Sequence, residues 1–91
     1  MLTLVIYDIE SDRTRYKIAE ACKDYGLQRI QYSAFVGKQS NNRREELTYR
    51  LRHTLGKQAG YILVYAICQR DQKLIREIGS KDYGSSASYR H

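Results

Sequence analysis

The sequence predicts a small α+β domain in which two helices cover one face of a β-sheet. Residues 2–7 and 61–68 are short, apolar and rich in β-branched side chains, which is typical of buried strands. Two helical patterns lie between them, over residues 12–25 and from the capping residues 40–42 to about residue 55. A chain of 91 residues without proline is expected to form one domain.

The first strand, residues 2–7, ends at a carboxylate. Asp8 follows the apolar run directly, and a helical pattern starts soon afterwards. A carboxylate at the exit of a buried strand has a rigid mount and a partly desolvated setting, so Asp8 is a candidate metal ligand or catalytic group. A structural role, in which Asp8 only ends the strand or caps the helix, explains this stretch equally well.

The first helical pattern can be capped by Ser11 or Asp12, and Gly26 is expected to end it. Its apolar face comprises Ile18, Ala19, Cys22 and Tyr25. Arg15 projects from the same face one turn earlier, so we expect it to point toward the end of the first strand, near Asp8. It serves either the site or the edge of the core, which its aliphatic stem can cover.

Residues 27–38 are predicted to be extended, because apolar and polar side chains alternate along much of the segment. One long bent strand and two strands joined by a tight turn at Ser33 and Ala34 both fit this pattern. With two strands, the order of elements becomes βαββαβ, a ferredoxin-like sheet with both helices on one face.

The second helical pattern carries a leucine stripe, Leu47, Leu51 and Leu55, flanked by basic residues. The chain has a formal net charge of +6 and a sequence pI near 9.5, which favours a polyanionic partner. The candidates for binding nucleic-acid phosphates on the two helices are Arg13, Lys17, Arg43, Arg50 and Arg52. A solvated helix face is the alternative explanation of this charge.

The end of the chain is predicted to leave the sheet. Residues 74–78 can form a short closing strand, and the polar composition from Gly79 onward indicates a mobile tail. We therefore expect a domain over residues 1–78 and a flexible tail over residues 79–91.

Cysteine spacing and hydropathy exclude several classes of protein. Cys22 and Cys68 are far apart and form no zinc motif, so we expect two small buried thiols in a reducing compartment. Asp8 interrupts the first apolar run too early for a signal peptide, and no run approaches the roughly 20 residues that span a bilayer. A cytoplasmic protein is expected.

The first and last strand patterns in the sequence are apolar on both faces, although the two helices can cover only one face of the sheet. A chain this small cannot bury the second face by itself. We therefore expect a homodimer that packs sheet to sheet around a two-fold axis.

Several segments together resemble the CRISPR-associated Cas2 family. They are VIYDI at residues 5–9, RIQYSAFVG at 29–37, the basic helix, and YILVYAI at 61–67. The resemblance covers residues 2–78 and implies a ferredoxin-like dimer in which the C-terminal strand of each subunit packs onto the partner's sheet. It also implies a role in spacer acquisition, as a bridge between two dimers of the Cas1 integrase, and metal-dependent nuclease activity on RNA or DNA in some members.

The resemblance also implies site residues. Asp8 matches the family's metal-binding aspartate, for magnesium or manganese, and Tyr7 precedes it as in the family. Other positions associated with the site in nuclease members are Arg15, Arg29, Ser33 and Phe35. Lys17 stands where some members have arginine, and the acidic pair that often follows the YDI motif is here Glu10-Ser11-Asp12.

One aspartate holds a catalytic metal weakly, so a two-fold axis near Asp8 would have to supply the second carboxylate. Two functions then compete. One is a phosphodiesterase with a single composite site per dimer, and the other is a non-catalytic scaffold that binds duplex DNA and docks the integrase. A toxin-like ribonuclease of the same general fold is a third alternative.

Overall fold

The strands and helices follow the order βαββαβ, which confirms the ferredoxin-like prediction. The computed structural model describes residues 1–79. Its elements are β1 (Leu2–Asp8), α1 (Asp12–Asp24), β2 (Gln28–Gln31), β3 (Ala34–Lys38), α2 (Asn41–Leu55), β4 (Tyr61–Ile67) and the short helix α3 (Gln69–Gln72).

The sheet has the strand order β2-β3-β1-β4, and every neighbouring pair is antiparallel. Strand β1 is central, with Val5 opposite Phe35 of β3 on one side and Val64 of β4 on the other. Asp8 ends β1 opposite Tyr61, the first residue of β4. The first strand is therefore held on both sides, and its terminal carboxylate has a fixed position.

The helices cover one face of the sheet and leave much of the other exposed. Successive side chains of a strand point to opposite faces, and on β1 the side chains of Val5 and Tyr7 join the core. The helices complete this core with Ile18, Ala19, Ala21, Cys22, Leu47 and Leu51. On the other face Ile6, Tyr61 and Tyr65 are exposed, although Leu2 and Val36 are buried there.

Residues 28–38 form two strands, which decides between the two alternatives for this segment. The turn lies at Tyr32 and Ser33, one residue before the predicted position. Ala34 is not available for the turn because it already pairs with Ile6 of β1. The register of β2 against β3 shifts between Arg29 and Gln31, at a bulge.

Side-chain caps start the two main helices as expected. The hydroxyl of Ser11 accepts a hydrogen bond from the Thr14 amide at 3.2 Å, and that of Ser40 accepts one from the Arg43 amide at 3.2 Å. Gly26 follows α1 with a φ of 83°, a left-handed conformation that glycine adopts without strain. The predicted bounds of both helices are thus close to the observed ones.

The predicted closing strand is not formed within a single chain. The chain forms α3 directly after β4, and residues 74–78 have no regular structure. A strand needs a hydrogen-bonded neighbour, and residues 74–78 pair with no strand of the four-stranded sheet within one chain. The rest of the predicted tail, residues 80–91, lies outside the described residues.

Both cysteines are free thiols, as expected, with Cys22 buried and Cys68 half-buried. Over residues 1–79 there is no helix with the length and apolar character needed to cross a membrane.

Candidate functional site

Asp8 is an exposed carboxylate at one end of the uncovered sheet face. Its neighbour Tyr7 belongs to the core on the helix side, so the alternation of strand β1 directs Asp8 to the opposite side. The expected partial desolvation is therefore wrong for a single chain. Within residues 1–79 no group of three or more His, Cys, Asp or Glu side chains could hold a metal ion. Asp8 therefore belongs to no such ligand group within one chain.

Tyr7 is held firmly on the helix side of β1. Its amide donates to the Ser33 carbonyl at 3.0 Å, and its ring lies 6.4 Å from that of Phe35 at an interplanar angle of 18°. Burial raises the pKa of the Tyr7 phenol, and the nearby Arg29 guanidinium opposes part of that rise. Ser33 thus contributes its backbone here, and Phe35 is a fully buried core residue.

Arg29 lies on the same side, fixed by two contacts. Its guanidinium carbon is 4.7 Å from the centre of the Phe35 ring, and Nη1 donates to the Tyr32 carbonyl. These contacts place the positively charged guanidinium at the bulge of the β2–β3 hairpin, although Arg29 remains exposed. The guanidinium is thus oriented before any ligand arrives.

Arg15 points toward the end of β1, as predicted, but it contacts the loop that follows the strand. Its Nη1 donates to the carbonyls of Ile9 and Glu10, each at 2.8 Å, and its Nη2 pairs with Asp12. Arg15 therefore closes the connection between β1 and α1, directly after Asp8.

A cleft of about 400 Å³ opens between α1 and the β2–β3 hairpin. Tyr7, Arg15 and Arg29 line it, together with Tyr16 and Tyr32. The sheet consequently divides the predicted site residues, with Asp8 on one face and the tyrosine and two arginines on the other.

The sequence reasoning missed Tyr16 and Tyr32. Both rings are exposed, at 67% and 72% of their full accessibility. A signal was present, because Tyr16 falls outside the apolar face of α1 and directly follows Arg15. An aromatic ring on a polar helix face beside a basic residue is typical of a binding surface.

The predicted phosphate-binding residues divide into two groups. Arg13, Lys17 and Arg52 are exposed and form no ion pair in the part of the chain that the structure describes. Arg50 pairs with Asp24 of α1 at 2.9 Å, and the Arg43 guanidinium carbon lies 4.4 Å from the centre of the Tyr25 ring. Arg43 and Arg50 therefore also pack α2 against α1.

Comparison with known proteins gives consistent matches over nearly all of the described chain. The family model described as CRISPR associated protein Cas2 matches residues 1–75. A CRISPR-associated endoribonuclease Cas2 of Desulforudis audaxviator is 51% identical over 78 residues, covering 86% of this chain and 74% of the relative. The crystal structure of Streptococcus pyogenes Cas2 at pH 6.5 superposes with a TM-score of 0.72 and 25% identity, covering 87% of this chain and 100% of that one.

A third relative joins two proteins in one chain. It is a CRISPR-associated endonuclease Cas1/endonuclease Cas2 fusion of Thermoproteus tenax, 34% identical over 70 residues. The match covers 77% of this chain and 26% of the fusion.

Proposed function

The chain belongs to the CRISPR-associated Cas2 family, and from this premise we propose that two copies of it form a metal-dependent endonuclease with one composite site. The observation that carries this proposal is the position of Asp8, an exposed carboxylate at the end of an apolar sheet face. Pairing two such faces around a two-fold axis covers Ile6, Tyr61 and Tyr65. It also brings one Asp8 from each copy toward the same edge.

Two Asp8 side chains fit a magnesium or manganese ion better than one. Magnesium is held by one or two carboxylates, with water and substrate phosphate as further ligands. When bound, the ion supplies charge neutralisation at the phosphate and an activated water. The chain's own residues position this site, since β3 and β4 hold β1 and Arg15 holds the loop after it.

The substrate of this proposed activity is a phosphodiester of RNA or DNA. The Desulforudis audaxviator relative is named an endoribonuclease, which favours RNA. The exposed cations Arg13, Lys17 and Arg52 provide charge for a polyanion of either kind.

A specific observation also favours the second candidate function, a scaffold in spacer acquisition that binds duplex DNA and a Cas1 integrase. The Thermoproteus tenax fusion joins a Cas1 endonuclease to a Cas2 endonuclease in one chain. Proteins fused in one organism commonly act together, so a Cas1 partner is consistent with this relative. Asp8 is not required for this function.

Asp8→Asn distinguishes the two functions. The substitution preserves the shape of the side chain and deletes the charge that would hold the metal. We expect cleavage of RNA and DNA with magnesium or manganese to fall to background, while the dimer persists. The mutant dimer should be slightly more stable without metal, because two facing carboxylates repel each other.

The matched control is Glu45→Gln, which removes the charge of an exposed carboxylate on the helix side of the molecule. It should cleave like the parent. Cas1-dependent DNA insertion is measured on the same proteins, and the scaffold function requires Asp8→Asn to support it normally. Undiminished cleavage by highly purified Asp8→Asn would exclude Asp8 as the metal ligand.

A further inference from the structure

The cleft between α1 and the β2–β3 hairpin lies on the opposite side of the sheet from Asp8. Tyr7 lines the cleft from strand β1, while the adjacent Asp8 points away from it. A ligand in this cleft therefore cannot touch the same chain's Asp8. Any function of the cleft is separate from metal binding at that carboxylate.

The charges that line the cleft leave one cation uncompensated. Of the two carboxylates, Asp12 pairs with Arg15, and Glu20 pairs with Lys23 at 3.6 Å. No carboxylate within residues 1–79 pairs with Arg29. The cleft therefore offers net positive charge at the guanidinium of Arg29.

That guanidinium is oriented for an anion. The guanidinium lies over the Phe35 ring, and one of its five N–H groups donates to the Tyr32 carbonyl. Donors remain for an incoming ligand, and the side chain loses little freedom on binding because it is already fixed. A phosphate suits this fork, which can bind two of its oxygens at once.

Aromatic rings stand at the same cleft. Tyr16 and Tyr32 are largely exposed, and the Arg15 guanidinium carbon lies 5.8 Å from the centre of the Tyr32 ring. An exposed ring on a rigid helix or tight turn offers a flat surface on which a nucleobase can stack. A cavity of about 400 Å³ is large enough for a small organic ligand.

We propose that this cleft binds one nucleotide of a single-stranded nucleic acid, with Arg29 on the phosphate and the rings of both Tyr16 and Tyr32 against the base. The inference rests on the proposed function, because the nucleotide belongs to the strand that the nuclease acts on. Stacking and phosphate contact occur with every base, so the cleft should hold the strand with little sequence preference.

The test is a titration of the full chain with adenosine 5′-monophosphate, followed by amide chemical shifts. Adenosine and inorganic phosphate are titrated separately as probes of each half of the ligand. We expect the nucleotide to shift amides around Tyr16 and Arg29 and to bind more tightly than either half. Arg29→Ala, Tyr16→Ala and Tyr32→Ala should each weaken binding about tenfold.

Tyr49→Ala is the matched control, since this α2 tyrosine is 60% exposed and does not line the cleft. It should bind the nucleotide like the parent. Tyr16→Ala removes a ring that is outside the core, so the proposal remains testable even if Arg29→Ala fails to fold.

Three results would overturn the proposal: no cleft shifts at millimolar nucleotide, equal binding of phosphate alone, or equal weakening by Tyr49→Ala. The titration contains no cleavage step. A cleft that binds no nucleotide therefore leaves the Asp8 proposal standing, and a chain that cleaves nothing leaves the titration result standing.

Discussion

At the scale of single residues, Cys22 shows how the core changes a side chain's chemistry. It is 0% exposed, and burial raises the pKa of its thiol from the ordinary 9.0 to about 12. The folded chain thus keeps this thiol neutral at a pH where the unfolded chain releases the proton. Well below pH 9 the Cys22 thiol does not change the free energy of unfolding. As the pH rises from 9 toward 12, this thiol lowers the free energy of unfolding.

We therefore expect the free energy of unfolding to fall as the pH rises above 9, by at most about 1.4 kcal/mol per pH unit for this thiol. Urea unfolding at fixed protein concentration measures it. Between pH 9 and 10 the loss comes mainly from Cys22, since the Tyr7 phenol, whose pKa is also raised, has an ordinary value of 10.0 and contributes mainly at higher pH.

Cys22→Ala should be less stable at pH 7, because it leaves a small cavity, and should lose less stability between pH 9 and 10. Cys68→Ala, which removes the half-buried thiol, is measured alongside as the second cysteine variant. Identical pH dependence in the parent and Cys22→Ala would contradict the assignment.

At the scale of elements, the basic residues of helices α1 and α2 are of two kinds: some pack the two helices together, and others are exposed to solvent. Arg50 bridges to Asp24 of α1, and Arg43 lies over the Tyr25 ring, so both contribute to packing between the helices. Arg52 on α2 and Arg13 on α1 are exposed and have no ion pair within the described chain. An ion pair must be broken before Arg50 can bind a phosphate fully, whereas Arg52 carries no such cost.

Duplex DNA should therefore bind mainly through the exposed basic residues Arg13 and Arg52. We expect the double variant Arg13→Ala/Arg52→Ala to weaken binding and to reduce the slope of log affinity against log salt by about 2, since each phosphate contact contributes about 1. Arg50→Ala should reduce the slope less. Fluorescence anisotropy of labelled duplexes over about 50–200 mM salt measures both.

A flat salt dependence of the parent would exclude phosphate contacts as the source of affinity. Equal slopes for the parent and the double variant would place the binding surface elsewhere.

At the scale of the whole molecule, the sheet has one covered and one exposed face. The exposed face carries Ile6, Tyr61 and Tyr65, with Leu4 and Leu63 half-buried between them. A contiguous apolar patch of this kind on a small protein marks an interface. We propose that a second copy of the chain covers it, because the face then buries itself against its own equivalent.

Sedimentation at low micromolar concentration should accordingly show a dimer without a folded monomer. Leu63→Lys places a charge in the centre of the exposed face and should dissociate the dimer or unfold the chain. Tyr49→Lys, on the helix side, should remain dimeric. A stable wild-type monomer, or a dimer that tolerates Leu63→Lys, would contradict this arrangement.

Taken alone, the sequence determined the order of the elements and most of the helical core. The strands β1 and β4, the serine caps and the leucines of α2 were all predictable, because strand periodicity, capping and helical spacing are local properties of the chain. The resemblance of a few segments to the Cas2 family was also visible in the sequence, and the family match confirms it.

Only the tertiary structure decided which functional residues meet. Alternation requires Tyr7 and Asp8 to point to opposite faces, but the packing of both helices on the Tyr7 side leaves Asp8 exposed and joins Tyr7 to Arg15 and Arg29 in one cleft. The pairing of Arg50 with Asp24 has the same origin. It depends on a contact between segments far apart in the chain, which no local pattern encodes.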